Sequence, residues 1–93
     1  MSTRSMVWAW SGDLDSADTP ALAATLQVLL LEHPTTLTID LRAVTFMDCA
    51  VLSLLVRVNN DSSMTVILQG APTCVRRLLQ ATGLSAVFQT MAR

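Results

Sequence analysis

No lysine occurs in this 93-residue chain, its only histidine is His33, and its three glycines, Gly12, Gly70 and Gly83, are isolated from one another. Six arginines against seven acidic residues leave a formal charge of −1 and no basic stripe to neutralise several phosphates, which argues against a nucleic-acid partner. Lone glycines build no phosphate-cradling loop. The two cysteines, Cys49 and Cys74, are too far apart for the close ligand spacing of a zinc site and too few for a disulfide framework, so neither a metal nor a cofactor is expected. The longest nearly apolar run, Ala21 to Leu31, is broken by Thr25 and Gln27. It falls short of the roughly 18 residues that a membrane span needs. The first ten residues lack the apolar core of about 7–15 residues that marks a secretory signal. The expectation is a cytoplasmic protein with no direct membrane insertion.

What the chain does have is apolar mass, 52% hydrophobic against 14% charged residues. Most of it must be buried in one core, and a surplus is available for contact with another protein. No linker, charge block or repeat divides residues 1–93, which read as a single domain with its core over about 6–89. Strand-like and helix-like segments alternate along it. Met6 to Ser11 reads as a strand ended by Gly12-Asp13. Thr19 to Glu32 reads as a helix, with Pro20 at its start, Leu22, Leu26, Leu29 and Leu30 on one face, and His33-Pro34 as its stop. Thr36 to Leu41 alternates apolar and polar residues as a strand does. Met64 to Gln69 is another strand, a third helix opens at Pro72 and closes at Gly83, and Ala86 to Gln89 makes a last short strand. This order predicts an α/β domain: a mixed sheet of about four strands with helices packed on it. Trp8, Trp10 and Met6 share one face of the first strand and read as packing residues.

The second helix, Cys49 to about Asn59, is apolar around most of its circumference and begins after Asp48, a good N-cap. Cys49, Ser53 and Arg57 follow one another at intervals of four, which draws a single narrow exposed stripe. A thiol in the first turn, at the positive end of the helix dipole, invites a reactive reading. The simpler reading, a small semi-buried apolar residue beside an N-cap, fits a lone cysteine better. An enzyme fits poorly. A cysteine phosphatase needs an arginine on the same phosphate, whereas Arg57 is displaced from Cys49 by about 12 Å along the helix. His33 has no nucleophile beside it in sequence to activate.

Ser11-Gly12-Asp13-Leu14-Asp15 after a strand, Leu37-Thr38-Ile39-Asp40-Leu41 leading through Val44-Thr45-Phe46-Met47 to Asp48, and Val75-Arg76-Arg77-Leu78-Leu79 followed by Thr82-Gly83-Leu84 together resemble the STAS domain. That family includes bacterial anti-sigma factor antagonists, subunits of lipid-transport ABC systems and the cytoplasmic tails of sulfate transporters. In the antagonists an Asp-Ser-Ser-Gly segment precedes a helix, and its first serine is phosphorylated by a kinase-type anti-sigma factor that the unphosphorylated antagonist binds. Here the segment reads Asp48-Cys49-Ala50-Val51. The aspartate matches, the acceptor position holds Cys49, and Asp15 matches the acidic residue of the family's Gly-x-Leu-Asp segment. The resemblance implies a non-enzymatic module that controls sigma-factor-dependent transcription. Its partner-binding face would comprise Asp13, Asp15, Asp48, Cys49, Ala50, Leu52, Ser53 and Arg57. The implied partner is a Ser/Thr kinase-like anti-sigma factor, with the ATPase of an ABC transporter as the alternative; a homodimer or obligate complex is expected if the apolar second helix is not fully covered within the monomer. A thiol is no substrate for a hydroxyl kinase, so the switch that depends on added phosphate charge is expected to be lost.

Overall fold

A computed structural model of the chain describes residues 5–61, 64–84 and 88–91. In order these form β1 (Ser5–Leu14), a 3₁₀ turn (Ser16–Asp18), α1 (Thr19–Leu30), β2 (Thr36–Met47), α2 (Cys49–Asp61), β3 (Thr65–Gln69), α3 (Thr73–Thr82) and β4 (Gln89–Met91). The strands lie side by side in sequence order, β1-β2-β3-β4. Three strands carry the sheet, and the three-residue β4 completes one edge. All the described pairings are parallel, where the sequence suggested a mixed sheet. The cause is the connections: a helix follows each of the first three strands, and each helix returns the chain to the end of the sheet at which the preceding strand began.

One face of the sheet is the core. Leu37, Ile39 and Leu41 of β2 and Val66 and Leu68 of β3 are fully buried, in one cluster with Leu26 of α1, Val51 and Leu55 of α2 and Val75 of α3. The alternate residues Thr36, Thr38 and Asp40 are only half-buried, and Val7, in register with Thr38, is exposed. Trp10 lies in the core and packs edge-to-face on Trp8, the rings 5.1 Å apart at 88°, the geometry that opposed ring quadrupoles favour.

Two strands run further than the sequence suggested. β1 continues past Gly12 to Leu14, with Gly12 at a φ of 76° inside the strand beside a shift of register with β2. β2 continues past Leu41 to Met47, and its register with β1 slips twice, between Ala9 and Ser11 and between Gly12 and Asp13. Each slip places an extra β2 residue opposite β1. Buried residues therefore recur every third position at Leu41, Val44 and Met47, and the two-residue alternation that betrays a strand disappears. At the other end of the chain, part of the expected strand at Ala86 to Gln89 lies outside the described residues, and the observed strand begins at Gln89.

The helices follow the sequence more closely. Pro72 is the N-cap of α3, Val75 and Leu79 are buried, Arg76, Arg77 and Gln80 are turned outward, and Gly83 closes the helix in the left-handed conformation at φ 73°. The N–H of Leu84 then donates to the carbonyl of Leu79 at 2.9 Å. His33 is an exposed residue at φ 51° in the turn that ends α1.

Gly70, after β3, lies against an ion pair on β2. Asp40 accepts from the Arg42 guanidinium at 3.0 and 2.8 Å and from the Arg42 N–H at 3.1 Å. The hydrogen bonds from Arg42 keep the Asp40 carboxyl below its ordinary value. The stem of Arg42 crosses Gly70, whose φ is 64°, and an added Cβ would come within 2.1 Å of Arg42 Cγ. Gly70→Ala is therefore expected to lose about 1–3 kcal/mol of stability through the left-handed backbone alone. It should also displace Arg42, so that the Asp40 carboxyl, followed by NMR through an acid titration, titrates closer to its ordinary value. The stabilisation from this pair is present above the unfolded carboxylate value and is lost as pH falls through the lower folded one.

Candidate functional site

The last register pair of β1 and β2 is Leu14 with Met47, so the next residues, Asp15 and Asp48, emerge together at the C-terminal end of the sheet. In parallel α/β sheets that end is where binding surfaces form, because the strands deliver loops and helix starts there. The Asp48 N–H donates to the Leu14 carbonyl at 2.9 Å and ties the two chain segments to each other. The Asp48 carboxylate accepts from the Ala50 N–H at 3.2 Å, and its carbonyl accepts from Val51 and Leu52, so Asp48 caps α2 as expected. Asp15 caps the 3₁₀ turn in the same way, accepting from the Ala17 N–H at 2.9 Å, while its own N–H donates to Asp18 at 2.9 Å. Asp13 accepts a hydrogen bond from the Thr45 hydroxyl across the two strands. Three carboxylates are thus fixed at one end of the molecule, Asp15 and Asp48 by local caps and Asp13 by a bond across the two strands.

Cys49, Ser53 and Arg57 are set along one side of α2, with Ser53 and Arg57 exposed, so the stripe read from the sequence exists. Cys49 is at the surface and not the semi-buried residue that a small apolar role implied. Ala50 lines an open groove between α1 and α2, about 380 Å³ in volume, with Thr19, Pro20, Ala23, Ser53, Leu54 and Arg57. Leu52 does not belong to this surface. It is 1% exposed and points into the core, because it lies about 100° around the helix from the centre of the Cys49–Ser53–Arg57 line, in the direction of the sheet. No group of three or more potential metal ligands occurs among the described residues.

One surface residue carries no mark in the sequence. Phe46 is 48% exposed and pairs in register with Asp13 beside the three carboxylates. Exposed aromatic rings at a polar rim are frequent anchors of protein interfaces. The residues between Leu41 and Asp48 read as a connection, and a connection has no periodicity from which an outward side follows.

Parallel βαβ units with one face of the sheet buried under helices, and a carboxylate-rich helix start at the sheet's C-terminal end, define a small α/β domain. The sequence profile of the family described as "Mlab, STAS domain" matches residues 2–90, and the chain belongs to the STAS domain family. Among solved structures it is similar to the anti-sigma factor antagonist SpoIIAA in its unphosphorylated form, with a TM-score of 0.77 at 24% identity over 97% of this chain and 83% of that one. Comparison with curated protein sequences gives no match. Among the described residues no helix is long and apolar enough to cross a membrane.

Proposed function

We propose that the chain is a non-enzymatic docking module that binds a kinase-type anti-sigma factor and cannot be released from it by phosphorylation. The observation that carries this reading is the pairing of an intact cap with an altered acceptor position. Asp48 still forms the α2 cap, while an exposed Cys49 stands where the resemblance places the phosphorylated serine. The docking face is the end of the molecule that carries Asp13, Asp15, Asp48, Cys49, Ala50, Ser53 and Arg57, with Phe46 at its rim. Without an acceptor hydroxyl at position 49, the added charge of about −1.5 to −2 that would oppose docking among these carboxylates is never introduced. The module stays in its binding form and acts on transcription through its partner.

A second reading has the same face bound to the ATPase of a lipid-type ABC transporter. The STAS family, to which the chain belongs, includes such subunits, and a subunit of that kind needs no acceptor serine. Affinity capture of the tagged native protein from its own lysate, with mass spectrometry of what it retains, separates the two. Recovery of a kinase-like anti-sigma factor supports the first reading. The Cys49→Ser variant, incubated with that partner and ATP, should then gain one phosphate per chain while the native protein gains none. Recovery of a transporter ATPase establishes the second reading, and phosphate on the native chain at Ser53 would overturn the first.

A further inference from the structure

Every residue from Thr19 to Leu31 is uncharged, so α1 has no ionic face with which to meet water. Its inner side is spent on the core through Leu26 and on the groove through Ala23. On its outer side Ala21, Ala24, Val28 and Leu31 are all exposed, Val28 to 63% and Leu31 to 74%. They follow one another at intervals of three, four and three, the spacing of the apolar seam by which two helices pair. This seam lies about a third of a turn around the helix from the groove beside α2 and is independent of the docking face described above.

Chemistry narrows what can cover it. A helix that lies on a membrane surface carries Lys or Arg along its polar side, and α1 has none. A charged partner would find no counter-charge on the seam. A second copy of α1 meets it with no ionic mismatch, since uncharged surface faces uncharged surface. The order of side-chain sizes sets the direction. Antiparallel pairing puts Leu31 of each copy against Ala21 of the other and Val28 against Ala24, so every layer joins a large residue to a small one. Parallel pairing would stack Leu31 on Leu31 and leave a gap between the alanines. Opposed helix dipoles also favour the antiparallel arrangement.

We propose that α1 forms a two-fold symmetric, antiparallel homodimer through Ala21, Ala24, Val28 and Leu31. A helix about 18 Å long offers less than the roughly 1,200–2,000 Å² of a standard stable interface, so the dimer is weak and depends on concentration.

Sedimentation equilibrium of the full chain tests this over about 10 to 1,000 micromolar, the range in which so small an interface titrates. The mass should rise from that of the 10.1 kDa monomer towards twice that value. Val28→Glu should weaken association at least about tenfold, since it buries an unpaired charge in the seam, and should leave the melting temperature unchanged because the site is exposed in the monomer. The double variant Ala24→Lys with Val28→Glu should regain the dimer, since antiparallel pairing places each new charge beside its opposite. A chain that stays monomeric throughout the range overturns the proposal, as does association that Val28→Glu leaves undiminished. A double variant that remains monomeric overturns the antiparallel arrangement, because parallel pairing would stack like charges.

Discussion

Cys49→Asp is expected to weaken binding of the docking partner by about 10- to 100-fold while the fold is kept. A carboxylate at this position joins Asp13, Asp15 and Asp48 at the end of the sheet, where like-charge crowding and the cost of desolvating a further charge oppose docking. The same charge is favourable for the helix itself, since a negative group in the first turn of α2 gains about 0.3–1 kcal/mol from the dipole. The two effects have opposite signs. A drop in affinity with an unchanged or higher melting temperature therefore isolates the docking surface from the stability of the domain. Cys49→Ala is the control and should bind within about threefold of the native chain, since an exposed thiol at the edge of an interface contributes little. Isothermal titration of the captured partner against the three proteins reads the result. Equal affinity for the native chain and Cys49→Asp would show that α2 does not begin inside the interface.

The second large effect lies in the core. Leu55 is fully buried against the sheet, and Leu55→Ala should cost about 2–5 kcal/mol, the transfer energy of the lost atoms plus the cavity they leave. A domain of this size has about 5–14 kcal/mol of stability in all. The melting temperature should therefore fall by at least about 10 °C. Ser53→Ala, two positions earlier on the exposed stripe, should change stability by less than about 0.5 kcal/mol in a urea titration of both variants. A small effect at Leu55 would mean that α2 does not pack on the sheet as described.

That contrast along one helix separates what is legible in the residues from what is not. The four-residue spacing of Cys49, Ser53 and Arg57 among apolar neighbours is enough to draw the stripe on the surface, because helical geometry is a local property. It is not enough to place Leu52, which the family resemblance puts on that surface and the fold puts in the core, because spacing along α2 does not say which flank turns towards the sheet. The Asp48 cap and the Gly83 stop are legible for the same local reason as the stripe, since each satisfies backbone groups within a few residues of itself.

The sequence by itself determined the alternation of strands and helices, the approximate limits of the helices and the identity of the residues that start α2 and that start and end α3. These follow from periodicity, caps and turns, which act over a few residues. Only the tertiary structure decided that the described strands are all parallel and that β1 and β2 run on to Leu14 and Met47 through two slips of register. Only it brought Asp13, Asp15 and Asp48 to one end of the sheet beside Phe46, and left the outer seam of α1 uncovered. Strand register and the covering of a helix face depend on segments that are distant in sequence and meet only when the chain is packed.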